Sequence, residues 1–228
     1  YTHCIAFLRK PNVSSSMELP RYTKLEEWAN SLTHGLGAML SIAGLVVMVV
    51  LSALHGDAWH IVSTAIFGAT LIMLYSASTL YHAIQSPRIR SIMQRLDHIA
   101  ILYLIAGTYT PFTLVTLRGP WGWTLFGIVW GLTLFGTVVH LTQLRRFHGL
   151  MVALYLVMGW SVVLAMKPLL EALPTTGLWL LVAGGLSYTL GVVFYMRKSW
   201  PFNHAIWHLF VLAGSVLHFF SVVFFVIL

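Results

Sequence analysis

Charge is the scarcest feature of this chain: Asp, Glu, Lys and Arg make up 8% of its 228 residues, against 58% hydrophobic. Soluble domains carry roughly 25% charged residues, so a chain this poor in charge cannot cover its own surface in water. The bilayer is its solvent. Cysteine is nearly absent too. Cys4 is the only one, which excludes an intrachain disulfide. Acidic residues number 6 against 13 Lys and Arg, a net charge of +7. That excess does not form a nucleic-acid-binding face, because the cations sit in short clusters between apolar runs, as residues that fix membrane orientation do. No nucleic-acid partner is expected. A cleavable signal pattern is also missing, since Ile5 to Leu8 is too short for an apolar signal core. The first residue is Tyr1; Met17 would serve as a natural start, with residues 1–16 then foreign or mis-assigned.

What the chain does have is apolar length. Residues 1–24 read as a polar, mobile tail with Pro11, Ser14–Ser16 and Pro20. Residues 25–228 read as one integral domain of seven apolar segments, at about 32–54, 60–82, 97–117, 121–141, 149–167, 176–196 and 203–227. Each suffices to cross about 30 Å of hydrocarbon at 1.5 Å per residue. The predicted fold is an all-α membrane protein of seven transmembrane helices. With seven spans, 11 of the 13 cations fall on one side: Arg9, Lys10, Arg21 and Lys24 in the tail, then loops carrying Arg88, Arg90 and Arg95, Arg145 and Arg146, and Arg197 and Lys198. Only Arg118 and Lys167 fall on the other. This bias puts the N-terminus in the cytoplasm and the C-terminus outside. Trp59, Trp121, Trp123 and Trp179 mark outer interfaces, and Trp28 and Trp200 inner ones.

Local signals add detail. Pro111 is expected to kink the third span or end its regular ladder early. Pro201 suits the first turn of the seventh span. Gly127-x3-Gly131 and Gly184-Gly185 permit close helix contacts. No repeat relates the two halves, which weakens a transporter reading.

The ionisable residues gather at one depth. The second span ends Ser78-Thr79-Leu80-Tyr81-His82, the third opens with Asp97-His98, and the seventh opens with His204-Ala205-Ile206-Trp207-His208. Histidines four apart share a helix face about 6 Å apart, so His204 and His208 can meet one metal ion. His82 can supply a third nitrogen, with Ser78 one turn deeper. Three protein ligands plus an open position describe a catalytic zinc site, whereas a closed structural site would want a fourth ligand, usually cysteine. Asp97 could hold the water or orient a ligand histidine from outside the coordination sphere. A His-x3-His pair alone is weak evidence, since histidines near helix ends often hydrogen-bond at the interface. An aspartate within the membrane boundary, costing about 3 kcal/mol on insertion scales, is harder to dismiss.

Other polar residues get plainer readings. Glu27, Asn30 and His34 read as capping and anchoring the first span, with a direct role at the metal as the less favoured alternative. His218, roughly 15 Å deeper than His208 at helical rise, has a hydrogen-bonded packing role. His140, Arg145, Arg146 and His148 read as a hydrated inner loop, His55 and His60 as outer-interface residues with no partner in view, and Glu171 as solvated.

The blocks Glu27-x2-Asn30-x3-His34, Ser78-x3-His82, Asp97, and Asn203-His204-x3-His208 with His218 beyond resemble the bacterial hemolysin III proteins. These lie within the wider progestin and adipoQ receptor family that includes the adiponectin receptors. The likeness covers nearly everything from about residue 22 onward. It implies zinc on His82, His204 and His208, with Asp97 and Ser78 as the family aspartate and serine beside the metal. It also implies a multi-pass protein of the bacterial inner (plasma) membrane whose partners are membrane lipids and a lipid substrate or ligand. Self-association stays open.

Three functions follow. The first is a zinc-dependent hydrolase of lipid amide or ester bonds, ceramidase-like, with Asp97 as general base and Ser78 positioning water or stabilising the oxyanion. The second is a receptor or sensor with structural zinc. The third is a hemolysin-type pore, which needs polarity along the whole membrane depth; Thr108, Thr110, Thr113 and Thr116 give only a partial stripe.

Overall fold

The computed structural model describes residues 22–142 and 147–228. The tail reading over residues 1–21 and the proposal of Met17 as a start fall outside these residues, as do Arg145 and Arg146; at the tail's end Lys24 already belongs to a helix. Among the described residues, seven helices are long and apolar enough to cross a membrane, and the chain is a multi-pass membrane protein.

The first span, α1 (Lys24–His55), starts eight residues earlier than its apolar run. Its start is fixed by a capping box: Thr23 Oγ1 accepts from Glu26 N at 3.2 Å, and Glu26 Oε2 accepts from Thr23 N at 2.9 Å. α2 (Ala58–Ala83) begins behind Asp57, whose carboxylate accepts from Trp59 N and His60 N. His60 is not partnerless as expected: its Nδ1 lies 2.8 Å from Asp57 Oδ1, which holds that carboxyl down at about 2. Arg118 completes this cluster, 3.1 Å from Asp57 and 4.8 Å above the Trp59 ring.

α3 (Pro87–Pro111) begins ten residues before the expected third span. Arg88, Arg90 and Arg95 therefore lie on its first turns rather than in a loop, and Asp97 sits well inside the helix instead of opening it. The regular ladder ends at Pro111, which has no N–H to give, and a π-helical turn over Phe112–Thr116 follows. α4 is Pro120–Leu141. The fifth span is broken: α5 (His148–Trp160) passes through a 3-10 turn, Ser161–Ala165, into α6 (Met166–Ala172). Tyr109 of α3 repairs this break. Its hydroxyl donates to Gly159 O at 2.7 Å and accepts from Val162 N at 2.8 Å, backbone groups that would otherwise face hydrocarbon unpaired. α7 is Thr175–Met196 and α8 Asn203–Val222, extended by a π-helical turn to Ile227. Pro201 lies in the turn before α8, not in its first turn.

α1 packs along α2, α2 along α3 and α7 along α8, while α8 returns to α1 and closes the bundle. α3 is the central helix, with 67% of its apolar window buried against 17% for α7. The pattern is that of a membrane protein. Leu32, Leu36, Met39 and Leu40 face outward, while Asn30, His34, Ser41, Ser52 and Thr64 are buried between helices. Small residues let the backbones approach: Gly107 of α3 lies against Thr70 of α2, and Gly184 of α7 against the His218 ring. Gly127 and Gly131, expected to do the same, face open space within the chain. Among the described residues, no helix packs onto their motif. Thr108, Thr110 and Thr113 give their hydroxyls to carbonyls of their own helix.

Candidate metal centre

Three helix ends converge at the face where α1 begins. His82 comes from the last turn of α2 and His204 and His208 from the first turns of α8, brought in by the pairing of α1 with both helices. Their ring centroids lie 5.0 Å (His82–His204), 5.2 Å (His82–His208) and 4.5 Å (His204–His208) apart. One nitrogen from each falls within 4.8 Å of the others. All three are buried, at 4%, 8% and 1% exposure, so the nitrogens meet away from bulk water.

Hydrogen bonds decide which nitrogen two of the three rings offer. His82 Nδ1–H donates to Glu27 Oε2 at 2.7 Å, leaving Nε2 as the lone-pair nitrogen, buried and without a partner. His208 Nδ1–H donates to Asn30 O at 3.2 Å, with Thr33 Oγ1 3.1 Å away, which again turns Nε2 to the site. His204 Nε2 is likewise buried and unpartnered. Tautomers fixed from behind by a carboxylate or carbonyl are how metal-binding imidazoles are held. Glu27 is itself fixed by an ion pair to Arg90 of α3, whose guanidinium lies 5.3 Å from the Tyr81 ring.

Unpaired polarity concentrates at this spot. Among the described residues, eight buried side-chain polar atoms have no partner, and six belong to Asn30, His34, Ser78, His82 and His204. Each such atom costs about 1–3 kcal/mol if left so, and a cluster of them marks a place built to hold something. A divalent ion with neutral imidazole ligands suits this donor set. The residues fit a zinc-like metal.

The sequence reading therefore holds for His82, His204 and His208 as a cluster. Asp97 is buried on α3 facing Ser78, although the Ser78 hydroxyl makes no hydrogen bond of good geometry. Asp97 is not one of the groups whose ligand atoms meet, and the bond that orients a ligand histidine comes from Glu27. Glu27 and Asn30 do more than cap and anchor α1, since both bond ligand histidines. His34 stacks on His208 with centroids 3.5 Å apart and meets Tyr75 edge-on at 4.9 Å. The spacing Glu27-x2-Asn30-x3-His34 puts all three on one stripe of a helix, a signal that could have pointed inward. His140 is buried at the end of α4 rather than in a hydrated loop, its Nε2 3.0 Å from Tyr155 Oη. His218 Nε2–H donates to Leu181 O at 3.0 Å, the packing role expected.

A partly open cleft lies between α3, α5–α6, α7 and α8, with none of the three histidines on its wall. Its walls are almost wholly apolar, including Leu104, Tyr155, Trp160, Tyr188, Tyr195 and Trp207. Tyr195 stands between the two spaces, with its ring 6.0 Å from His204 and 5.5 Å from Trp207.

Seven apolar helices with a buried histidine cluster and an apolar cleft define a multi-pass membrane protein with a prospective metal centre. The chain belongs to the Haemolysin-III related family, which it matches over residues 22–219. It is 47% identical over 202 residues to Hemolysin-3 of Bacillus cereus, covering 89% of this chain and 92% of that one. To the Hemolysin-3 homolog of Bacillus subtilis (strain 168) it is 48% identical over 204 residues, 90% and 96% of the two chains. It also shares 30% identity over 210 residues with the human Monocyte to macrophage differentiation factor, 88% of this chain and 84% of that one. The last is a member of the progestin and adipoQ receptor family.

Proposed function

We propose that the chain is a zinc-dependent hydrolase that cleaves an amide or ester bond of a membrane lipid. The observation that carries this reading is the adjacency of two unlike spaces: a buried trio of imidazoles with nitrogens within 4.8 Å of one another, and an apolar cleft separated from it by the Tyr195 ring, 6.0 Å from His204. An acyl chain suits the cleft, and the bond next to its polar head then lies by the histidines. When bound, zinc lowers the pKa of a coordinated water to about 7 and polarises a carbonyl.

The protein's own part is positioning and proton transfer. His82, His204 and His208 hold the ion, with Glu27 and the Asn30 carbonyl fixing two of the rings. Asp97, buried in α3, takes the proton of the attacking water and returns it to the leaving group. Ser78, facing Asp97, orients that water or donates to the developing oxyanion. The site lies at the cytoplasmic face of a bacterial plasma membrane, the orientation that the Lys and Arg bias favours. The two Bacillus relatives carry the name hemolysin, which suggests cytolysis. The threonines of α3 spend their hydroxyls on their own helix, and this favours a lipid-cleaving site over a water-filled pore.

Purified protein in lipid nanodiscs tests the reading, with fatty-acid release from ceramide and from diacyl lipids measured with and without a chelator. Turnover is expected to depend on zinc. Undiminished release by His208→Ala ends the proposal. Loss of a cellular phenotype in His82→Ala, with global destabilisation and no turnover in the wild type, favours a receptor with structural zinc.

A further inference from the structure

The histidine cluster is shallow at one edge and covered there by a residue outside every helix. Tyr22 lies just ahead of the α1 capping box, half-buried. Its ring centroid is 5.3 Å from His204 and 5.9 Å from His82. These are the two more exposed ligands; His208, one helical turn deeper, is the least exposed of the three. The buried Nε2 atoms of His82 and His204 have no contact with solvent as the chain stands, so an ion or chelator needs a route past a covering group.

The segment that carries Tyr22 is tied to the start of α8 by an exposed latch. Thr23, at the N-cap, gives both its N–H and its hydroxyl to Glu26 Oε2, at 2.9 and 2.8 Å. The other oxygen of Glu26 accepts from Phe202 N at 3.0 Å. Phe202 holds a left-handed backbone, φ 54°, in the turn that leads into α8. One carboxylate thus ties the segment bearing Tyr22 to the helix bearing His204 and His208. The bonds are solvent-exposed and few, so this corner can open locally while the packed helices stay in place.

We propose that Tyr22 is the gate of the metal site: its ring closes the mouth of the histidine cluster, and its swing about Thr23 sets how fast a divalent ion exchanges with water. The inference rests on the metal reading but not on any catalytic activity. A gate differs from a ligand or a packing residue in what it changes, since opening it speeds release without altering how much metal the site holds.

The chain, reconstituted in nanodiscs and loaded with Zn²⁺, is challenged with excess EDTA, and retained zinc is followed over time. Tyr22→Ala is expected to start at the wild-type stoichiometry and melting temperature and to lose zinc about tenfold faster, the factor that one lost aromatic contact supports. Tyr22→Phe keeps the ring and the slow rate. Glu26→Gln leaves Tyr22 intact but weakens the latch, and its release falls between the two. Equal release from wild type and Tyr22→Ala, with metal retained in both, overturns the gate alone. A wild-type chain that holds no zinc overturns the metal reading together with it.

Discussion

Replacing Glu27 probes the centre without touching a ligand. In the native chain its carboxylate accepts the Nδ1–H of His82 at 2.7 Å and pairs with Arg90. Outer partners of this kind are worth about 10–100-fold in metal affinity. In Glu27→Gln the amide oxygen still accepts from His82 in nearly the same place. A neutral acceptor is about half as strong as a charged one, so the loss is expected near the low end, about tenfold or 1.4 kcal/mol. In Glu27→Ala nothing accepts, the imidazole is free to turn, and Arg90 loses its counter-charge. The loss is expected near about 100-fold, or 2.7 kcal/mol. Zinc affinity is measured in nanodiscs at pH 7 by competition against a chromophoric chelator of known affinity. Affinities of both variants within about twofold of wild type would refute the idea that a carboxylate behind His82 sets the site, because that lies below the range for such partners. So would a Gln variant weaker than the Ala variant.

Three further substitutions test the scaffold. Tyr109→Phe removes the hydroxyl that bridges Gly159 O and Val162 N, leaving buried backbone groups unpaired. A loss of about 1–3 kcal/mol of stability is expected in reversible unfolding in mixed micelles, with zinc stoichiometry unchanged; a null effect would mean that water fills the break. Gly107→Ala puts a methyl onto Thr70, whereas Gly127→Ala meets nothing within 4 Å. The first is expected to destabilise by about 1–3 kcal/mol through overpacking, and the second to be neutral or slightly stabilising. Thermal melts of the two proteins side by side check the contrast.

Hydropathy made the seven spans legible because each apolar run is long and bounded by charge or Pro and Gly. Where helices outrun the apolar region the same signal fails. α3 carries Arg88, Arg90 and Arg95 on turns that precede its apolar stretch, so these read as loop and Asp97 as a helix start. The pair Ser86-Pro87 is a start signal that points to the true boundary. His204 and His208 were legible because four-residue spacing is a local property of a helix. The bond from Glu27 to His82 joins residues 55 apart in sequence, and no local pattern encodes it; only the docking of α1 on α2 does. His140 was misread for a related reason: a mostly polar stretch from Thr142 to Arg146 follows it in sequence, but it lies at the end of α4 and Tyr155 of α5 folds over it. Gly127-x3-Gly131 shows the reverse error, a contact motif whose partner the fold does not supply within one chain.

Two of the three ligand histidines stand on the last span, while the third and its supporting carboxylate stand on the first two. During synthesis the chain is inserted from its N-terminus, so Glu27 and His82 wait through four intervening spans for imidazoles that do not yet exist. The site completes itself only when α8 docks back against α1. On the proposed metal reading, ion capture would follow the docking of α8, because an intermediate lacking α8 presents only His82 of the three histidines.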